Sequence, residues 1–133
     1  MSRRKSRITA FQGVYSWETS RESLDQLLTF SWIDDKPAQE DLDFSRILIA
    51  GTIENIEKID ALIASHLSAN WTFDRLNKVT LAVLRVGIYS LLFQKEIAAS
   101  IVIDEAVDIA KEFGPDDSYK FVNAMLDKIS KEQ

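Results

Sequence analysis

The segment from residue 79 to residue 93 is the most apolar part of the chain, and only one charged residue, Arg85, interrupts it. It is shorter than the roughly 20 apolar residues that a membrane-spanning helix requires. A helix that is apolar on nearly all sides must be covered by other elements of the protein. We therefore predict a central helix over residues 79–94 that is buried on most sides, and no contact with a membrane.

Apolar residues recur at helical spacing along most of the remaining chain, and no segment shows the period-two alternation of a half-buried strand. The spacing predicts a first helix over residues 4–19, and Ser20 is a candidate N-cap for a second helix. A loop is predicted over residues 31–40. The glycines within the helices, Gly13 and Gly87, indicate close approach of a neighbouring element, which at Gly13 we expect to be backbone.

The second half of the chain continues this pattern. One long helix should follow residue 40, with a short helical turn within residues 70–77 and another helix over residues 100–113. Gly114 and Pro115 form a typical helix stop, with the glycine at C′. Asp116 and Asp117 would lie at the positive end of a last helix. The predicted inner stripe of the long helix comprises Phe44, Ile47, Leu48, Gly51, Ile59, Leu62, Ile63 and Leu67.

Composition narrows the possible classes of protein. The 133 residues include no cysteine, which excludes disulfides, iron–sulfur sites and cysteine-based zinc sites, and only one histidine, His66. Low glycine and proline contents, 4 and 2 residues, favour helices over a β-sandwich. The length predicts one domain over residues 1–133. No secretory signal is visible, so we expect a cytoplasmic protein.

Charge is distributed unevenly along the chain. The net charge is −5, but the first 17 residues carry four cations and no acid, so residues 18–133 carry −9. We call these four cations, Arg3, Arg4, Lys5 and Arg7, the basic arm. Because charges are screened over about 8 Å at physiological salt, the basic arm can act independently of the acidic remainder. It predicts either an RNA-binding element or a frayed, solubilising terminus.

Aromatic residues follow the basic arm on the same predicted helix. Phe11, Tyr15 and Trp17 could offer unpaired bases a stacking surface. Phe11, however, belongs to the apolar stripe, so we expect it in the core. These residues alone therefore leave RNA binding and a structural role equally open.

No motif supports an enzymatic function. Asp104, Asp108 and Glu112 share one helix face, but helical-bundle metal sites usually add histidine and draw ligands from several helices. We therefore expect a solvated acidic face and no metal or other cofactor. His66 is expected to be structural. No phosphate-binding loop, nucleophile elbow or HExxH motif occurs in the sequence.

Several segments together resemble the NusB family of bacterial transcription antitermination factors, and the resemblance covers nearly the whole chain. The most specific block is DSYKFVN at residues 117–123, at a fixed distance after Phe113 and Gly114. The other matching segments are VYSWE at 14–18, LAVLRVGIYSL at 81–91, IDEAVDIAK at 103–111 and LDKI at 126–129.

The chain departs from the family pattern at four positions. Ala124 replaces a usual glycine, Asp104 a usual asparagine and Ser90 a usual acid. Thr80 stands where relatives can carry an acid at the surface for the protein partner.

The resemblance implies an all-α fold of about seven helices in two packed bundles, without catalysis. It implies binding of single-stranded boxA RNA from ribosomal RNA operons together with NusE, a small-subunit ribosomal protein, in the RNA polymerase elongation complex with other Nus factors. The protein partner would face Tyr15 and Asp74. The implied RNA-binding residues are Arg3, Arg4, Lys5, Arg7, Asp117, Lys120 and Phe121.

Some alternatives stay open at this point. Asp117 would repel phosphate, so it either restrains RNA affinity or simply begins the last helix. NusB-like domains also occur at the front of ribosomal RNA cytosine methyltransferases, although no cofactor loop is present here. A purely structural interaction module is a third possibility.

Overall fold

The computed structural model describes residues 3–35 and 37–133, which contain seven α-helices, one 3₁₀ turn and no strand. The predicted all-α class is thereby confirmed. None of the described helices combines the length and the apolar character needed to cross a bilayer. The elements are α1 (Arg3–Thr19), α2 (Leu24–Leu27), α3 (Gln39–Glu54), α4 (Ile56–Ser65), the 3₁₀ turn (Phe73–Arg75), α5 (Lys78–Phe93), α6 (Ala99–Phe113) and α7 (Ser118–Lys131).

Helix α5 is the central element, as the apolar segment predicted. Its residues from Thr80 to Ile88 are all buried. Asn77 caps its N-terminus by accepting hydrogen bonds from the backbone N–H groups of Val79 at 2.9 Å and Thr80 at 3.2 Å. Helix α5 contacts α1, α3 and α4 of one bundle as well as α6 and α7 of the other, so the two packed bundles share a continuous core.

The two predicted helix glycines are both sites of close packing. A Cβ atom at Gly87 would lie 3.1 Å from Leu126 Cδ1, so the absence of a side chain lets α7 approach α5. At Gly13 the close neighbour is a side chain, Ile49, whose Cδ1 would lie 2.7 Å from an added Cβ. The prediction that backbone approaches Gly13 was therefore wrong, because α3 presents a branched side chain at this crossing.

The predicted long helix is interrupted at Asn55. This residue separates α3 from α4, and its side-chain amide donates to the Gly51 carbonyl at 2.8 Å. An asparagine side chain that competes for a helical carbonyl favours such a break. Ile47 was also predicted to point inward, but it is exposed because it lies at the edge of the stripe. The predicted loop ends at Ala38, and its residue 36 lies outside the described residues.

Three predicted helix ends differ in detail. Ser23, not Ser20, caps α2, because Ser20 still donates to the Ser16 carbonyl and so extends the last turn of α1. Gly114 ends α6 with φ −92°, outside the left-handed region expected for a C′ glycine. The absence of a Cβ matters here for space instead, since an added Cβ would lie 2.9 Å from the Ala110 carbonyl oxygen. Within the link between α6 and α7, Asp117 has a left-handed φ of 66°.

Candidate nucleic-acid interface

The basic arm is part of a folded helix, because α1 begins at Arg3. The Arg3 guanidinium carbon lies 4.0 Å from the centre of the Phe44 ring on α3, as in a cation–π contact. Ser45 on α3 donates a hydrogen bond from Oγ to the Ser6 carbonyl at 2.9 Å. These contacts attach the first turns of α1 to α3, so the cations are presented from a fixed surface.

Arg4 faces α6. Its guanidinium nitrogens lie 3.5 Å from a carboxylate oxygen of Asp108 and 3.5 Å from one of Glu112, and its side chain is 36% exposed. The expected solvated face on α6 is present, since Asp104, Asp108 and Glu112 are all exposed, and two of the three carboxylates also pair with Arg4.

Arg7 lies inside the protein. Only 6% of its surface is exposed, and its Nε atom has no hydrogen-bond partner. Burial lowers the pKa of Arg7, while the nearby Glu105 carboxylate raises it. The expectation that Arg7 contacts RNA directly therefore needs correction, because the residue is packed between α1 and its neighbours and reaches Phe44, with its guanidinium carbon 5.7 Å from the ring centre.

The aromatic residues of α1 have separate environments. Phe11 is buried, as predicted, and its ring centre lies 5.1 Å from that of Phe113 on α6. Tyr15 is exposed and available for a partner, whereas Trp17 is half-buried against the core. A continuous stacking surface along α1 is therefore absent.

The start of α7 carries two further predicted RNA-binding residues on its surface. Asp117 is the N-cap residue, but its side chain makes no capping hydrogen bond. Its carboxylate instead forms an ion pair with the Lys120 ammonium group, 3.7 Å away, and both side chains are largely exposed. Asp117 therefore begins α7 as a charged residue whose side chain does not cap the helix.

A groove of about 820 Å³ lies beside this end of α7. Phe121 is half-buried, packs against the core and contributes to the groove wall, so only part of its ring is accessible. The opposite wall includes exposed Trp71, whose ring lies 5.3 Å from the Arg75 guanidinium carbon. The groove thus joins residues from the segment before α5 with residues of α7. Its lining also includes Thr80, Asp117, Ser118, Met125, Lys128 and His66.

The predicted partner residues also lie on or near the surface. Asp74 is exposed in the 3₁₀ turn, and Tyr15 is exposed on α1. Thr80 is buried but lines the groove, so a partner that enters the groove would touch only a small part of it.

A buried ion-pair cluster around Arg85 on α5 was not predicted from the sequence. Arg85 is 3% exposed and donates two hydrogen bonds of 2.8 Å to Asp60 on α4 and one of 2.8 Å to Glu18 on α1. Its guanidinium also lies near the rings of Trp17 and Phe73. The signal was the single charge within the most apolar segment, since a buried cation requires partners.

His66 is structural, as expected, and connects the C-terminal ends of α4 and α7. Its Nδ1 lies 2.8 Å from the Leu62 carbonyl oxygen, and its Nε2 lies 3.0 Å from the Glu132 carboxylate. The bond to Leu62 and the bond to Glu132 both raise the pKa of His66. Since both ring nitrogens face acceptors, the arrangement favours the protonated ring.

Comparisons with known proteins place these features in a family. The family model described as NusB matches residues 4–131. The transcription antitermination protein NusB of Treponema denticola is 48% identical over 97% of this chain and 96% of its own. A crystal form of T. maritima NusB has a TM-score of 0.90 at 39% identity, covering 100% of this chain and 93% of that one.

A further solved structure contains both a partner protein and nucleic acid. It is a crystal structure of the antitermination factors NusB and NusE in complex with double-stranded RNA. The matching chain is 29% identical with a TM-score of 0.81, and all of both chains is covered. With a family model that spans nearly the whole sequence and relatives of matching length and fold, the chain belongs to the NusB family.

Proposed function

We propose that this protein is a transcription antitermination factor that binds boxA RNA of ribosomal RNA operon transcripts together with NusE. It would act in the cytoplasm as one domain, as an adaptor without catalysis, within the RNA polymerase elongation complex that contains other Nus factors. The observation that supports a single RNA surface best is the position of the basic arm beside α6, which the contact of Arg4 with Glu112 fixes. This contact brings the basic arm to the C-terminal end of α6, from which the chain continues directly into the motif at the start of α7.

The proposed RNA surface combines phosphate and base contacts. Arg3, Arg4 and Lys5 on α1 and Lys120 on α7 would hold phosphates, and the accessible part of Phe121 would stack on a base. Asp117 would reduce the affinity for phosphate through repulsion and through its contact with Lys120. Arg7 would act indirectly, because it is buried and its guanidinium lies near the Phe44 ring that Arg3 also contacts.

The proposed surface for NusE includes Tyr15 and Asp74. Exposure of both side chains supports this assignment. The groove that contains Thr80 and Phe121 adjoins the RNA surface, so the two ligands would lie side by side. If they contact each other, each raises the affinity of the protein for the other by the same factor.

Salt dependence tests the role of the basic arm. With four phosphate contacts, log affinity for a single strand should fall with log salt at a slope of about −2.8, but the burial of Arg7 reduces the expected arm contribution to about −2.1. We expect Arg3, Arg4 and Lys5 changed together to Ala to remove this contribution. Fluorescence anisotropy with labelled boxA RNA at several salt concentrations would measure it.

A matched triple variant provides the control. Lys58, Lys95 and Lys131 are exposed elsewhere on the protein, and their change to Ala removes the same charge. It should leave the slope nearly unchanged. Equal slopes for the wild type and the basic-arm variant would contradict the proposed role of the arm.

Three RNAs separate the candidate functions. Single-stranded boxA RNA, a scrambled strand and a boxA duplex would be titrated with and without NusE. Preference for single-stranded boxA that increases with NusE is expected for the antitermination factor. Equal affinity for every RNA would favour a general RNA-binding module such as the methyltransferase-associated type, and no binding to any RNA would favour a purely structural module.

A further inference from the structure

Two carboxylates on the acidic face of α6 already pair with Arg4, one of the cations that RNA is proposed to bind. Asp108 and Glu112 are one helical turn apart, so both carboxylates face the Arg4 guanidinium, each at 3.5 Å. These distances exceed the 2.7–2.9 Å typical of strong charge-assisted hydrogen bonds. The carboxylates are about half exposed, at 54% and 52%. The pairing is therefore exchangeable and accessible to a competing anion.

An apolar contact keeps these groups together. Phe11 of α1 packs on Phe113 of α6 with ring centres 5.1 Å apart. Because Phe11 is buried, α1 cannot move away from α6 without exposing it to water. A phosphate that approaches Arg4 must therefore displace the two carboxylates or approach close to them.

We propose that Asp108 and Glu112 are affinity-determining residues that compete with RNA phosphate for Arg4. This inference rests on the proposed RNA-binding function. Competition lowers the affinity of the chain alone for every anionic strand. RNA binding then becomes effective only when further contacts, such as those made in the complex with the partner protein, add to the affinity.

Neutralising both carboxylates tests the proposal. Asp108→Asn with Glu112→Gln keeps the side-chain shapes and removes the competing charges. We expect the affinity of the chain alone for labelled single-stranded boxA RNA to rise about threefold to tenfold, as the loss of two exposed ion pairs implies. Fluorescence anisotropy measures the affinity, and thermal unfolding confirms that the variant is folded.

A second background distinguishes competition for Arg4 from general repulsion. In Arg4→Gln, the same two neutralising substitutions should increase RNA affinity much less, because the cation in dispute is gone. General repulsion would give the same increase in both backgrounds. Asp104→Asn is the matched control on α6. Asp104 is exposed, as is Asp108, but the ion pairs of Arg4 are with Asp108 and Glu112, so Asp104→Asn should change the affinity by less than Asp108→Asn does.

The outcomes separate the two proposals. Unchanged or weaker RNA binding by the neutralised variant, or equal increases in both backgrounds, would overturn the competition and leave the RNA-binding function intact. Absence of RNA binding by the wild type and by every variant, even with NusE, would overturn both. RNA binding by the neutralised variant alone at concentrations where the wild type needs NusE would support both.

Discussion

Arg85 and Arg4 both pair with carboxylates, but Arg85 is buried and Arg4 is partly exposed. Each arginine faces two carboxylates from other helices. Around Arg85 the hydrogen bonds are 2.8 Å long and the side chain is 3% exposed, whereas the contacts of Arg4 are 3.5 Å long and its side chain is 36% exposed. The difference teaches that burial, not the set of charges, separates a structural ion pair from one that can be exchanged for a ligand.

The physical reason is solvent screening. Water weakens the attraction between exposed charges, so an exposed pair contributes little to stability and exchanges readily. At Arg85 burial lowers the pKa, but the hydrogen bonds that Arg85 donates to Asp60 and Glu18, together with their negative charges, outweigh burial and raise the pKa above the ordinary value. The buried cation is thus paired with hydrogen-bonded carboxylates, and the cluster joins α1, α4 and α5.

Replacement of Arg85 and of Arg4, each in turn, should give the largest difference in stability. We expect Arg85→Met to lower the free energy of unfolding by about 3 kcal/mol, because it leaves Asp60 and Glu18 partly buried and unpaired. This corresponds to a fall in Tm of about 10 °C. Arg4→Met should cost less than about 1 kcal/mol. Denaturant unfolding of both variants measures the difference, and equal losses would break the comparison.

Arg7 sharpens the comparison because it is buried but poorly bonded. Its Nε atom lacks a hydrogen-bond partner, and the Glu105 carboxylate offsets only part of the lowering of its pKa by burial. We expect Arg7→Met to change the free energy of unfolding by about 1 kcal/mol or less, since the loss of charge also removes a desolvation cost. A loss as large as that of Arg85→Met, measured in the same denaturant titrations, would show that burial alone sets the contribution.

His66 and Glu132 provide a smaller, titratable case. Because the pKa of His66 is raised in the folded protein, the contact contributes stability below about pH 6.5, the unfolded value, and loses it as pH rises through the folded pKa. Lys128, which lies near, opposes this effect. Glu132→Gln should lower the unfolding free energy by about 0.5 kcal/mol at pH 6 and by nearly nothing at pH 8.5, as for other exposed pairs.

The pH dependence of the difference between the wild type and Glu132→Gln is the informative quantity. Lys131→Ala, next to Glu132 in the sequence, serves as a control because its partner is Asp127 and not His66. A difference that does not change between pH 6 and pH 8.5 would show that the protonated ring is not what the Glu132 carboxylate stabilises.

Much of the architecture was predictable because helix formation is a local property. Apolar spacing predicted the helices, and the central α5 followed from its nearly continuous apolar character. The break at Asn55 was missed because the apolar stripe continues across it while the asparagine side chain takes a helical carbonyl. The site was predictable only in part, since the sequence shows which residues are charged but not which of them are covered by other helices.

The sequence by itself determined the helical class, the basic arm at the start of α1, the acidic remainder and the family resemblance, because spacing, composition and motifs lie along the chain. Only the tertiary structure decided that Arg7 is buried, that Arg4 is paired with α6 and that Arg85 joins three helices. These outcomes depend on partners distant in sequence, whose approach is set by how the helices pack. Since the strength of an ion pair depends on its exposure to water, the roles of the three arginines follow from that packing.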